Sequence, residues 1–190
     1  MNFFIRIAII AYALMLAGCS RYDDYIYEVV KMNSSNSDNS GNKPIDALTD
    51  SVSKKAFAIK LELTMELRES GKNTDSYESN YANEDRLISL NVYSLTNFDT
   101  THQAGISLND YFLVSSGGTY TTGSTIQRQV ENGTIGEGRG SQGSIQDSWT
   151  SNEYLILMSE PQTTGNYSFV VEIGMSDGRH LIDTTAVILY

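Results

Sequence analysis

Apolar and polar residues alternate without a break over residues 57–67. Phe57, Ile59, Leu61, Leu63, Met65 and Leu67 occupy one phase of a two-residue period, and Ala58, Lys60, Glu62, Thr64 and Glu66 the other. A helix would scatter those apolar side chains round its circumference, whereas a strand gathers them on one face. The pattern predicts a long antiparallel strand, buried on one side and wet on the other. Residues 87–95 form a second candidate, with Ile88, Leu90 and Val92 expected to share a face. Residues 154–158 are an apolar run short enough for a central strand. Tyr167, Phe169, Val171 and Ile173 alternate again up to Ser176-Asp177-Gly178, and residues 181–190 return as a last strand. Asp-Gly between two β-rich runs predicts a hairpin. Residues 25–32 are a further candidate strand, residues 107–112 at most one turn, and no segment sustains a helical period. About five to seven strands ending in a hairpin predict an all-β, mostly antiparallel two-sheet sandwich, with a closed barrel as the alternative.

Two stretches break the alternation. Residues 33–43 read Asn-Ser-Ser-Asn-Ser-Asp-Asn-Ser-Gly-Asn-Lys, with no apolar side chain to bury against the entropy of ordering. A flexible loop or tether is expected there. The other is the N-terminus, where Arg6 precedes an apolar run through Leu16 that is interrupted only by Tyr12. One basic residue before a short apolar core is the pattern of an export signal, and the run falls short of the roughly 20 residues of a spanning helix. The core ends in Leu16-Ala17-Gly18-Cys19, which resembles the lipobox of bacterial lipoproteins. That resemblance implies cleavage after Gly18 and a lipid anchor on Cys19. Cys19 is the sole cysteine, so it has no partner for an intrachain disulfide. The Asp23-Asp24 pair beyond it resembles the surface-export signals of Bacteroidota lipoproteins, although a solvated linker accounts for the same residues. The organisation expected is a signal peptide over residues 1–18, a tether with a first strand over 19–53, and the sandwich over 54–190.

Gly165-Asn166-Tyr167-Ser168-Phe169 resembles the Gly-x-Tyr-x-Phe lead-in to the penultimate strand of immunoglobulin-like domains. There the tyrosine hydroxyl bonds back to the corner. Phe169 stands where antibodies carry a cysteine, so the resemblance is to the broader sandwich class. Asp38-Asn39-Ser40-Gly41, Lys55-Ala56-Phe57-Ala58-Ile59-Lys60, Phe98-Asp99, the run Ala104-Gly105-Ile106-Ser107-Leu108-Asn109-Asp110-Tyr111-Phe112 and the final hairpin look like a domain-of-unknown-function family of Bacteroidota lipoproteins. The likeness implies an envelope location, on the periplasmic or outer face of an outer membrane. It implies no activity and no site residues.

Charge removes one class of partner. The chain has 13 Lys and Arg against 23 Asp and Glu, a formal charge of −10, and loss of Arg6 with the signal would make it −11. No basic cluster offsets this, so nucleic acid is not an expected partner. Gly138-Arg139-Gly140-Ser141-Gln142-Gly143 spells a dinucleotide fingerprint but has neither the strand before it nor the helix after it that the fingerprint needs. His102 and His180 are the only histidines; Asp99, three residues before His102, is a candidate pair, but no zinc or calcium spacing occurs. No Gly-x-Ser-x-Gly elbow is present, and the expectation is a non-enzymatic chain without metal or cofactor. An envelope hydrolase whose residues are dispersed is the alternative. Asp50-Ser51-Val52, Asp99-Thr100-Thr101 and Asp183-Thr184-Thr185 resemble O-glycosylation sites of Bacteroidota secreted proteins. Binding is the remaining class: twelve tyrosines and Trp149 could stack on sugars, and Tyr111, Tyr120 and Trp149 fall in or beside the long stretch between residues 97 and 153. The same tyrosines serve equally as strand formers. The sequence therefore reads as a membrane-attached binding or structural module, with a protein or glycan as the partner.

Overall fold

A computed structural model of the chain describes residues 22–73, 81–83, 86–116, 124–131 and 148–190. In chain order the strands are β1 (Tyr22–Asp38), β2 (Ile45–Asp46), β3 (Ser51–Val52), β4 (Phe57–Asn73), β5 (Tyr81–Asn83), β6 (Leu87–Ser94), β7 (Phe112–Ser116), β8 (Ser124–Thr125), β9 (Ser148–Leu157), β10 (Gly165–Met175) and β11 (His180–Leu189). One 3₁₀ turn, Asn109–Tyr111, and one short helix, α1 (Ile126–Glu131), complete the described elements. The strands form two sheets. The first runs β2-β1-β4-β9-β7-β8, with β5 also on β1, and the second runs β3-β11-β10-β6. Its long strands, β1-β4-β9-β7 against β11-β10-β6, follow the order of constant-type immunoglobulin domains. The sandwich expected from the alternation is thus present, and as two separate sheets rather than a closed barrel.

The core lies where the two apolar faces meet. Phe57, Ile59, Leu61, Leu63 and Met65 of β4 are buried, as are Phe169, Val171 and Ile173 of β10. Phe57 and Phe169 stack across the sheets at 5.1 Å between ring centres, and Phe112 meets Phe169 edge-on at 6.2 Å. Each such ring contributes about 1.5–3 kcal/mol by burial. The corner tyrosine is also as expected: the Tyr167 hydroxyl donates to the Thr163 carbonyl at 2.8 Å. At the hairpin, the Gly178 N–H donates to Met175 O at 3.0 Å and the Met175 N–H to Arg179 O at 2.9 Å. That loop needs a left-handed residue, and Gly178 supplies it with φ +89°.

Two expectations are corrected. Residues 33–38 of the polar run are strand, not tether: Asn33 pairs with Glu62, and the ladder continues to Asp38 opposite Phe57. Composition misled because Ser34 and Asn36 find polar partners on β11, while Ser37 is buried outright although it is polar. Ser34 gives both its N–H and its hydroxyl to one Asp183 carboxylate oxygen, the hydroxyl at 2.9 Å. Asn36 donates to Ala186 O at 2.7 Å and accepts from the Thr185 hydroxyl at 2.8 Å. The run is a polar seam stitching β1 to β11, and residue 53 marks no break in the sheets. The second correction is Ile88, which is exposed while Leu87 and Leu90 are buried. Gly174 pairs with Ser89 but Met175 with Leu87, so Ile88 is the extra residue of a bulge. A one-residue slip exchanges the faces, which turns Leu87 inward and Ile88 out.

Candidate functional site

The register puts the end of β1, the start of β4, the end of β6, the starts of β7 and β10, and the ends of β9 and β11 at one end of the sandwich. The chain enters β1 at Tyr22, at the opposite end. Among the described residues nine large apolar side chains are exposed, and seven of them, Ile45, Leu48, Leu95, Ile106, Met158, Ile188 and Tyr190, belong to the end away from Tyr22. Leu48, at 95 % exposure, touches almost nothing of its own chain. Single exposed apolar residues are ordinary on a surface; their concentration at one end is what marks it.

Backbone bonds hold these loops in register. The Met158 N–H donates to Tyr111 O at 2.8 Å, Gln162 to Phe98 O at 2.9 Å, and Lys54 to Tyr190 O at 3.0 Å. Lys54 also pairs with Glu160 at 3.3 Å. Asn109 fastens the loop before β7 to the edge of β6: its Oδ1 accepts from the Val92 N–H at 2.9 Å and its Nδ2 donates to Leu90 O at 2.7 Å. One side-chain amide thereby takes the place of a neighbouring strand's peptide group.

Asp99 organises the loop above the core. Its Oδ1 accepts from the Thr101 N–H, the Thr101 hydroxyl and the His102 N–H, each at 2.7 Å. Partial burial opposes its charge, but hydrogen bonds from the Thr101 hydroxyl, the two backbone groups and the Tyr111 hydroxyl outweigh that and hold the carboxyl well below the usual range. Tyr111 is correspondingly pushed up, chiefly by its bond to Asp99. His102 Nδ1 lies 3.2 Å from both Asp99 oxygens, and Nε2 lies 3.5 Å from Asp110 Oδ1. The Asp99–His102 pair anticipated from spacing is therefore real, and its work is to close a loop. Among the described residues no three metal-binding side chains come together.

The three aromatic candidates are not assembled into one surface. Tyr111 lies at the loop end, but its ring packs 4.3 Å from His102 and 5.7 Å from Phe98, half-buried. Trp149 stands in β9 opposite Met65, toward the other end. Eight residues along the strand separate it from Leu157, about 26 Å at strand rise. Tyr120, the glycine-rich run at residues 138–143, Gly18 and Cys19 lie outside the described residues. His180 is exposed on the outer face of β11, bonded to Glu172 at 3.0 Å. The sequence reading overlooked Leu48, Met158 and Asn109. Only the register, which brings their separate loops to one end, distinguishes them.

A family model for a domain of unknown function, DUF5034, matches residues 29–186. The chain belongs to the DUF5034 family. No curated protein and no solved structure matches it. The DUF5034 match begins within β1, ends within β11, and so takes in both sheets and the loop end. Its description carries no activity, and the geometry has to speak for the function.

Proposed function

We propose that this DUF5034 protein is a lipid-anchored envelope lipoprotein that binds a protein partner, without catalysing a reaction, through the loop end of its sandwich. The observation that carries the reading is the gathering of Ile45, Leu48, Leu95, Ile106 and Met158 at the end remote from Tyr22. A chain attached through Cys19 would point that end away from the membrane. Aliphatic side chains displayed on bonded loops suit the apolar centre of a protein interface. A glycan site would call for several free aromatic faces; among the described residues of this end Tyr190 offers one, Tyr111 is packed against its neighbours, and the other exposed apolar side chains are aliphatic.

The test is photo-crosslinking in intact cells, with a photoreactive residue placed at Leu48, at Met158 or, as a control, at Thr184 on the outer face of β11. A discrete protein adduct is expected from the first two positions and not the third. It should disappear when Ile106→Asp and Leu95→Asp are combined with the probe. Adducts equal at all three positions, or none at Leu48 and Met158, would overturn the reading. Attachment has a separate test: Cys19→Ala should release the chain from membranes, and continued cofractionation would refute the lipid anchor.

A further inference from the structure

We infer that the end of the domain bearing Tyr22 rests against the lipid bilayer as a three-stranded foot, with the loop end carried above it. The inference depends on the lipid at Cys19 proposed above and says what that lipid does to the domain. β1 begins at Tyr22, and a chain can span at most about 11 Å between Cys19 and that residue. The polar layer on each face of a bilayer is itself roughly 6 Å deep. Little chain is left over to act as a swivel, so the first strand starts almost at the head groups.

What starts there is a projection rather than a flat end. Tyr22 pairs with Asn73 at the tip of the β1–β4 ladder, and β5 adds a parallel strand along Tyr25–Tyr27. Arg179 Nη1 donates to Val29 O at 2.9 Å, which fixes the β10–β11 turn level with Val29. Residues 22–28 therefore extend past the second sheet, by roughly 20 Å at strand rise. From the tip, the 17 residues of β1 stay on β4, through register shifts at Ile26/Tyr27 and Val29/Lys31, as far as Asp38 at the loop end, at most about 55 Å away. Leu48 and Met158 are thus presented one sandwich length above the lipid. The occupant of the foot is the bilayer surface itself, because the chain between Cys19 and Tyr22 is too short to place anything else there.

The experiment uses the full chain purified from membranes, with the mass of its N-terminal peptide reporting whether Cys19 carries lipid. Cysteine introduced by Asn73→Cys, Glu69→Cys or Gln162→Cys is then labelled with a maleimide fluorophore; a lipidated Cys19 is a thioether and does not react. The protein is reconstituted into phosphatidylcholine vesicles in which part of the lipid bears a head-group nitroxide. Quenching should be several-fold stronger at Asn73 and Glu69 than at Gln162. A twelve-residue Gly-Ser spacer inserted between Arg21 and Tyr22, with a mean span of about 20 Å, should reduce it several-fold. Equal quenching at both ends, or quenching at Asn73 that the spacer leaves unchanged, in protein whose Cys19 carries lipid, overturns the inference. Absence of lipid by mass refutes the anchor instead.

Discussion

Asn109 stands in for a missing strand, and its replacement offers a sharp energetic test. The edge of β6 would otherwise present the Val92 N–H and the Leu90 carbonyl, and the Asn109 amide bonds both, at 2.9 and 2.7 Å. Neutral hydrogen bonds contribute about 0.5–1.5 kcal/mol each, so Asn109→Ala should cost roughly 1–3 kcal/mol. Asn109→Asp discriminates further. It keeps the acceptor facing Val92 but turns a carboxylate oxygen toward the Leu90 carbonyl, so the loss should be comparable to that of alanine at neutral pH. A protonated carboxyl can again donate to Leu90 O, which raises the folded pKa of the introduced carboxyl above its unfolded value. The penalty relative to wild type is therefore full above the folded pKa and fades as pH falls below it. Urea unfolding of the soluble chain beginning at Ser20, followed by circular dichroism, measures this as a shift in midpoint at unchanged slope. Asn109→Ala also bares an edge that can pair with another molecule, so association should rise with concentration. Wild-type midpoints for both variants, or an aspartate penalty that grows toward acid, would refute the clamp.

Three other residues give independent checks. Asp99 has a folded pKa below its ordinary 3.8, so its stabilising contribution is present above that pH and lost as pH falls through the folded value. Asn in its place should lower the melting temperature at pH 7, with the gap to wild type closing in acid; a gap independent of pH would count against the cap. Tyr167→Phe keeps the buried ring but loses the bond to Thr163 O, and should cost about 1 kcal/mol in urea titration. Gly178→Ala forces a side chain onto φ +89° and should destabilise by about 1 kcal/mol, whereas an unaltered midpoint would mean the turn relaxes freely.

The fold was legible wherever burial alone decides a residue's place. The phase of Phe57 to Met65, the Tyr167 corner and the Asp177-Gly178 hairpin could be read directly, because period-two alternation and turn chemistry are local properties. The part of β1 over residues 33–38 was not, since Ser34 and Asn36 are satisfied by Asp183, Thr185 and Ala186, about 150 positions away in sequence. Ile88 failed for a related reason: the bulge that turns it outward is set by its pairing with β10. The loop end was hidden more deeply. Leu48 and Met158 are unexceptional residues in separate loops, and only the shared direction of seven strand ends brings them together. Aromatic residues invited attention by type, yet Tyr111 proved to be packing and Trp149 to belong elsewhere.

The Phe57–Phe169 pair occupies the place of a disulfide that a chain with one cysteine cannot form. Sandwich domains of the antibody class staple their sheets with a disulfide, at the position where this chain has Phe169. Here that residue stacks on Phe57 at 5.1 Å and meets Phe112 edge-on, so the two sheets are joined by ring packing. Were the chain exported and lipidated at Cys19 as proposed, further thiols could trap that cysteine in a disulfide before its modification. With an aromatic staple the two sheets need no intrachain disulfide, and Cys19, the sole cysteine, has no partner for one. It follows that the unfolding midpoint should be the same with and without dithiothreitol, while Phe169→Ala should cost about 3–5 kcal/mol by leaving a cavity between the sheets. A midpoint that falls on reduction would mean that something other than these rings holds the sheets together.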